Sequence, residues 1–435
     1  MKYRTLKAPL AVQVEITDSC NERCSHCYRS CPVESLIPSK TVLSLEGVRT
    51  IVRKIADAGV FTVAFTGGEP LLYPKSVIAG VEEARRRGLE ANVNTNLQAV
   101  TEPVIECFSN NNVKVLTSIA SMHEDLHEKI VGLEGSYDRL IKNMKRLIRA
   151  GVKVSANMVV RKDNYREVYE TGIFAFELGV QRFSATKAAP TNGIPYETYA
   201  PSKEQIKSSL DDLIRINRET GMTVDILESY PMCFFQDLEK YKIFARRNCT
   251  AGVFNCSISP NGNVRPCSHS TVSYGNALTG NFVEAWRNME DWRRAEYLNE
   301  TCKSCPYVYD CSGGCREDAK VLTGDICGED PLMGNYSEII PSKEDVIERG
   351  RFDGAYSIPE WVHSREETFG GSIKANEDIL LLGEGGWEVF NGLKGRVFRM
   401  ETIVDQFGVT KEDAFDFVSL LSQKGALQHE VMYED

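Results

Sequence analysis

Cys20, Cys24 and Cys27 stand at Cys-x3-Cys-x2-Cys spacing in the run Asp18-Ser19-Cys20-Asn21-Glu22-Arg23-Cys24-Ser25-His26-Cys27-Tyr28. Three thiolates on so short a loop can hold three corners of a [4Fe–4S] cubane and leave one iron open to a further ligand, whereas structural zinc takes four protein ligands. The spacing alone also admits a zinc site completed by His26 or Cys31. A second group reads Cys249-x6-Cys256-x10-Cys267, then Cys302-x2-Cys305-x5-Cys311-x3-Cys315-x11-Cys327, with Gly262 five residues before Cys267. Eight cysteines suffice for two sites of four ligands each. A pair of zinc knuckles competes, because Cys-x2-Cys and Cys-x3-Cys are common zinc spacings. Only Cys107 and Cys233 stand apart from the two groups.

These cysteines sit in an otherwise ordinary globular composition. The 435 residues are 42% hydrophobic and 26% charged, which argues against disorder and for two or three domains. Fourteen cysteines in that length fall far below the density of a disulfide-stapled secreted domain, and their clustering reads as metal ligation. The net charge of −10 disfavours a broad nucleic-acid surface. No apolar run reaches 18 residues, so no membrane span is expected. The opening of the chain leads straight into the alternating run Ala11-Val12-Gln13-Val14-Glu15-Ile16, which is no signal peptide, and the expectation is a cytoplasmic protein.

The elements that must position the first cysteine loop follow a regular order. Strand-like runs at 12–16, 61–65, 91–94, 113–116, 152–160 and 181–185 alternate with helical patterns at 45–58, 75–87, 102–109, 138–150 and 165–178. Six strands alternating in this way with helices predict an α/β fold with a parallel sheet and crossover helices, either an open sheet or a partial barrel. From 231 to 334 the pattern changes to short elements with one long helix near 282–297. Bound metal would supply much of that segment's folding energy. Beyond 335 a polar stretch leads into a small separate α/β module, with a strand at 379–382 and helices at 401–407 and 412–423.

The second strand ends in Thr66-Gly67-Gly68-Glu69-Pro70. Glycines at a strand end let the backbone come close to a ligand, and the glutamate offers an acceptor for an ammonium group. With these residues beside the cysteine loop, the chain resembles the radical S-adenosylmethionine (SAM) enzymes over residues 10 to about 190. The resemblance assigns Cys20, Cys24 and Cys27 to the SAM-binding [4Fe–4S] cluster and Gly67, Gly68, Glu69 and Pro70 to the GGE motif that meets the SAM amino group. Asn94-Thr95-Asn96 resembles the polar end of the third strand, with Asn94 a SAM contact. Ser118 resembles the fourth-strand serine at the SAM carboxylate or ribose, and Asn157 a fifth-strand contact. The chain has Ser118-Ile119-Ala120-Ser121 where relatives often read Ser-Leu-Asp-Gly. It has Val131-Gly132 where they often carry an arginine, so Lys129 is the substitute candidate for the carboxylate. The implied fold is a partial (β/α)6 TIM-like barrel over 1–230. The implied chemistry is one-electron cleavage of SAM to methionine and a 5′-deoxyadenosyl radical that abstracts hydrogen from an unactivated carbon.

Residues 231–334 are similar to the SPASM domain appended to many radical SAM enzymes. That resemblance places Cys249, Cys256, Cys267 and Cys315 on one auxiliary [4Fe–4S] cluster and Cys302, Cys305, Cys311 and Cys327 on the other. Four cysteines per cluster leave no auxiliary iron open, which suits electron transfer. Cys233 is near enough in sequence to compete with Cys249 or Cys256. Residues 335–435 form a linker and a winged-helix-like module similar to the PqqD-like peptide-recognition module, against a generic winged-helix or dimerisation domain. Such a module would take the leader of a precursor peptide by strand addition and raise the effective concentration of the rest of it.

Together these imply a radical SAM oxidoreductase with three [4Fe–4S] clusters. It would be a maturase that cross-links side chains of a ribosomally made peptide through a thioether or carbon–carbon bond. An electron donor such as flavodoxin or ferredoxin would serve it. The alternatives are formylglycine formation in a sulfatase, epimerisation, and a non-catalytic peptide-binding scaffold. Three features are set aside. His123 and His127 read as a solvated helix face, Cys107 as helix packing, and Cys31 as a spare thiol, an assembly aid or an acid.

Overall fold

The computed structural model describes residues 3–28, 41–191, 194–245, 247–342, 354–376 and 378–430. Cys31 lies outside them. The chain divides into two compact units, one spanning Ala8–Ser342 with the residues before Thr5, the other gathering Thr5–Lys7 and the chain beyond Ser342.

In the first unit, strands β1 (Ala11–Glu15), β2 (Thr62–Thr66), β3 (Glu90–Asn94), β4 (Lys114–Ser118), β5 (Lys153–Val160), β6 (Arg182–Lys187) and β7 (Thr223–Asp225) pair in parallel, each with the next. Helices α1 (Leu45–Asp57), α2 (Pro74–Arg86), α3 (Glu102–Asn110), α4 (Glu124–Val131), α5 (Ser136–Arg149), α6 (Val168–Glu177) and α7 (Lys203–Thr220) make the crossovers. The longer helices are apolar along one face. In α5 the buried Leu140, Met144 and Leu147 recur at the spacing of one helical face. Boundaries follow local chemistry: α1 starts where the Ser44 side chain accepts the Gly47 N–H, and α7 starts on a Ser202/Gln205 capping box.

The sheet is wider than the six predicted strands. Beyond β7, two further strands join at the other end: β8 (Asn255–Ile258) runs parallel beside β1, and β9 (Val264–Arg265) turns back antiparallel. The nine strands lie in the order β7-β6-β5-β4-β3-β2-β1-β8-β9, a partial barrel that the cysteine-rich segment extends.

That segment otherwise consists of short helices: α8 (Met232–Phe235), α9 (Lys242–Ala245), α10 (Phe282–Arg287), α11 (Glu290–Arg293), α12 (Glu300–Lys303), α13 (Val308–Cys311) and α14 (Arg316–Thr323). The long helix expected near 282–297 is thus two short ones. The cause is Arg293, whose buried guanidinium donates to the carbonyls of Trp286 and Arg287 and so takes up the last acceptors of α10.

The second unit holds two three-stranded antiparallel sheets. Strands β11 (His363–Glu367), β12 (Gly370–Ala375) and β13 (Asp378–Gly383) form a meander, and β10 (Ala355–Ser357) lies between β14 (Val397–Phe398) and β15 (Gln428–Glu430). Helices α15 (Glu384–Leu393), α16 (Met400–Phe407) and α17 (Lys411–Gln423) cover them around a core of Ile373, Phe390, Ile403, Val418 and Leu421. Strand β13 is at the edge of its sheet, and its Ile379 is exposed. Among the described residues of the chain, no helix is long and apolar enough to cross a membrane.

Candidate functional site

The cysteine loop leaves β1 and is fixed at once to the end of β2. Gly68 donates its N–H to the Thr17 carbonyl and Glu69 to that of Ser19, both at 2.7 Å. A Cβ on Gly67 would lie 2.5 Å from the Thr17 oxygen, and one on Gly68 2.0 Å from the Ser19 oxygen. The glycines therefore admit the backbone of the cysteine loop itself, where the sequence suggested room for a ligand. The far side of the loop is held by α4, through Arg23 N–H to the Val131 carbonyl at 2.8 Å and Ser25 N–H to that of Ile130 at 3.1 Å. Val131, at the position where an arginine was missed, thus serves as a backbone anchor, and Lys129 is exposed.

Glu69 is almost wholly buried. One carboxylate oxygen accepts the Leu71 N–H at 2.8 Å and the Thr95 hydroxyl at 2.6 Å, and the other accepts the Asn96 N–H at 2.7 Å. Burial still holds its carboxyl up at about 7 against those bonds. Asn96 also donates to Asn21 Oδ1 at 2.8 Å and lies 3.9 Å from the Cys20 sulfur. Asn96 thus links Glu69 to the cysteine loop, while Thr95 braces the carboxylate. Asn94, the residue named from sequence, is the last of β3 and sits opposite Leu116. Pro70 opens a single three-ten turn.

Ser118 and Asn157 lie farther along the same rim, directly opposite each other in β4 and β5. Ser118 is exposed, while Asn157 Oδ1 accepts the Thr186 hydroxyl of β6 at 2.9 Å. Arg161, just after β5, escaped the sequence reading. Its guanidinium donates to Ser25 Oγ at 2.6 Å, pairs with Asp163 at 2.8 Å and lies over the Tyr199 ring. An arginine two residues before an aspartate at a strand end was the available signal. Beside it, His26 is half-buried with its Nδ1 enclosed and unpartnered, and burial with the Arg161 charge lowers its pKa to about 4.

His127 corrects the expectation of a solvated helix face. It is buried, its Nδ1 accepts the Ala120 N–H at 3.2 Å, and its ring meets Tyr137 edge-on. His123 only precedes α4, so the two imidazoles do not share a helical face. Cys107 packs in α3 as expected.

The thiols of the first loop are suited to a metal–sulfur centre. Burial pushes Cys20 up to about 12 and Cys24 well above its usual value, and each is raised further by charge on the neighbouring cysteines. Thiolates so placed are stable only when a cationic centre takes them. Tetrahedral zinc with Zn–S of about 2.3 Å needs sulfurs roughly 3.8 Å apart. Among the described residues, only Glu228, Cys315 and Asp318 bring three metal-binding atoms within 4.8 Å of one another. No cysteine trio among the described residues is drawn to zinc spacing.

In the cysteine-rich segment, burial raises Cys267 and Cys315, and charge on Cys249 adds to both. These three belong together. Cys256 sits inside β8 opposite Val12, and burial alone raises its thiol. Cys302, Cys305 and Cys311 line one cavity, and Cys233 lines it with them, so Cys233 does not approach Cys249 or Cys256 as the sequence suggested. The Cys327 sulfur lies 3.7 Å from the Glu296 carbonyl. Two further features join this segment to the barrel rim. Tyr28, next to Cys27, stacks on His269 with centroids 4.0 Å apart. Lys187, the buried last residue of β6, pairs with Glu228 at 2.9 Å and with Asp318 of α14.

A parallel partial barrel carrying a three-cysteine loop after its first strand defines a radical SAM enzyme, and residues 14–175 match the radical SAM superfamily. Residues 249–306 match the SPASM iron–sulfur cluster-binding domain, so the chain is a radical SAM enzyme of the SPASM kind. Its domains imply SAM, a [4Fe–4S] cluster and auxiliary iron–sulfur clusters. An AdoMet-dependent heme synthase of Methanosarcina barkeri is 27% identical over 350 residues, 74% of this chain and 96% of that protein. A PqqA peptide cyclase of Gluconobacter oxydans is 28% identical over 342 residues, 74% of this chain and 90% of that one. The structure of Streptococcus suis SuiB has the same fold, with TM-score 0.63 at 19% identity over 76% of this chain and 78% of that chain. SuiB bound to its precursor peptide SuiA compares at TM-score 0.58 and 20% identity, over 75% and 76% of the two chains.

Proposed function

We propose that this enzyme modifies a ribosomally synthesised precursor peptide by radical chemistry and closes a thioether or carbon–carbon bond between side chains. When bound, SAM and the clusters supply the hydrogen-abstracting 5′-deoxyadenosyl radical and a sink for the electron that bond closure releases. The carrying observation is the union of the cysteine loop with the Gly67-Gly68-Glu69 strand end. It places three thiolates, a buried carboxylate and the polar rim residues at one end of a parallel sheet. Cys20, Cys24 and Cys27 hold the cluster. Gly67, Gly68, Glu69 and Pro70 form the wall toward the SAM methionine moiety, with Asn94, Ser118 and Asn157 along the rim. Cys249, Cys256, Cys267 and Cys315 serve one auxiliary cluster, and Cys302, Cys305, Cys311 and Cys327 serve the other.

Similarity to a PqqA peptide cyclase and to SuiB, which binds the precursor peptide SuiA, supports a peptide substrate. The domain plan is a barrel over 1–230, a SPASM domain over 231–334 and a linker with a PqqD-like module over 335–435. Within that module an extended leader peptide would be taken by strand addition. Electrons come from a small cytoplasmic donor such as flavodoxin or ferredoxin.

The test is co-expression with the precursor peptide encoded beside the gene, followed by mass spectrometry. A loss of two hydrogens supports cross-linking: one leaves in 5′-deoxyadenosine, the other as a proton and an electron. An unchanged mass with inverted stereochemistry would replace this reading by epimerisation. Turnover that survives removal of residues 340–435 would favour the formylglycine reaction. A second reading, a tetrapyrrole substrate, draws on the likeness to a heme synthase. Heme formation from a porphyrin substrate with purified enzyme and SAM would establish it instead.

A further inference from the structure

The loop that carries Cys267 is tied to both ends of the loop that carries Cys20, Cys24 and Cys27. At the near end, Glu15 is the last residue of β1, shortly before Cys20, and is buried. Arg265 closes β9 just ahead of Cys267, and its guanidinium pairs with the Glu15 carboxylate at 2.6 Å. At the far end, Tyr28 follows Cys27 directly. Its ring lies on that of His269, just past Cys267, with centroids 4.0 Å apart and planes 13° from parallel.

The Cys267 loop is also closed on itself. Arg265 Nη1 donates to the Ser270 carbonyl at 2.9 Å, so one guanidinium spans the segment from one side of Cys267 to the other. Strand β9 fixes its start, with Arg265 opposite Ser257 of β8, and β8 lies beside β1. Two attachments of different chemistry, an enclosed ion pair and a stacked ring pair, thus join the same two cysteine loops from distant parts of the chain. One attachment would let the loops pivot, whereas two fix their relative position.

A metal site is rarely complete before its metal arrives, so loading orders the loop that supplies the ligand. Order gained at Cys267 passes through the ring pair to Tyr28 and so to Cys27. A ligand's apparent affinity falls with the fraction of protein held in the binding form, so a loosened Cys27 end weakens what binds there.

We propose that His269 is a positioning residue through which the auxiliary cluster held by Cys267 strengthens SAM binding at the first cysteine loop. This rests on the reading that Cys267 is an auxiliary-cluster ligand. By linkage the effect is mutual, and SAM stabilises the auxiliary site by the same factor.

Full-length protein, reconstituted anaerobically, is titrated with SAM, and the change SAM makes in the EPR spectrum of the reduced first cluster is followed. His269→Ala should keep the full iron content, about twelve per chain. It should weaken SAM binding about two- to tenfold, the usual worth of an aromatic pair. His269→Phe keeps a ring over Tyr28 and should restore the affinity. Cys267→Ala removes the auxiliary cluster and should weaken SAM binding to a similar degree. Adding His269→Ala to it should weaken binding no further, since both changes break one connection. Parent-like SAM binding in His269→Ala, no rescue by His269→Phe, losses that add in the double variant, or loss of auxiliary iron in His269→Ala would each overturn the proposal. Full iron retention in Cys267→Ala would overturn the ligand reading beneath it, and shows in the iron analysis before any SAM titration.

Discussion

Gly68 faces Ser19 so closely that no side chain fits between them: an added Cβ would lie 2.0 Å from the Ser19 carbonyl oxygen. That carbonyl is also the acceptor for the Glu69 N–H at 2.7 Å. The residue before the first cysteine and the motif on the next strand are therefore one rigid piece of backbone.

Replacing Gly68 by alanine should force the two loops apart at a cost of about 1–3 kcal/mol, the usual range for overpacking. Iron bound by the first loop should fall along with the melting temperature. Gly385→Ala is the control, since a Cβ there meets nothing within 4 Å. Full iron content and unchanged melting in Gly68→Ala would refute the rigid junction.

Lys187 neutralises two carboxylates in a buried setting, with Glu228 at 2.9 Å and Asp318 closer still. Lys187→Met should destabilise the first unit by about 3–5 kcal/mol, because the carboxylates are left buried and unpaired. The double variant Lys187→Met/Asp318→Leu should recover part of that loss. Urea unfolding curves of the three proteins decide the matter, and a double variant no better than the single one counts against the pairing.

His127 makes stability sensitive to acid. Burial lowers its folded pKa to about 4 from the usual 6.5. Below about pH 6.5 the unfolded chain gains a proton that the folded one refuses, so stability is lost as pH falls from 6.5 toward 4, by at most roughly 3 kcal/mol. His127→Gln keeps an acceptor for the Ala120 N–H and removes the titration. Its melting temperature should change less than that of the parent between pH 7 and pH 4.5; equal changes would show that other groups dominate.

Cys256 and Cys267 should behave alike on replacement, although Cys256 sits inside β8 opposite Val12. Cys267→Ala and Cys256→Ala should each cost about four iron per chain, one cluster. Iron and sulfide analysis of the reconstituted variants measures this directly.

Much of the barrel was legible in the sequence. Leu140, Met144 and Leu147 mark one face of α5, and the thiol spacing at Cys20 points to its chemistry once Gly67-Gly68-Glu69 stands beside it. The rest depended on chain folding back over long distances. Strand β8 is four residues long and pairs with β1 from far along the chain, so no local pattern announces it. Arg293 ends α10 through side-chain hydrogen bonds that periodicity does not register. Asn94 and Asn96 are indistinguishable as residue types. Only the geometry of the strand end shows that Asn96 reaches the cysteine loop. Spacing rules grouped Cys233 with its nearest cysteines in sequence, but α8 carries it to a different set in space.

The parallel pairing of β8 with β1 sets a limit on dissection. In the intact protein β1 has neighbours on both sides, β2 and β8. Cutting the chain after the barrel would strip one flank from Ala11-Val12-Gln13-Val14-Glu15 and leave a row of bare amides and carbonyls beside apolar side chains. Such a margin invites self-association. The iron-binding appendix thus also acts as a selvedge for the barrel, and a truncated barrel should be sticky and insoluble even where its own catalytic loop is intact.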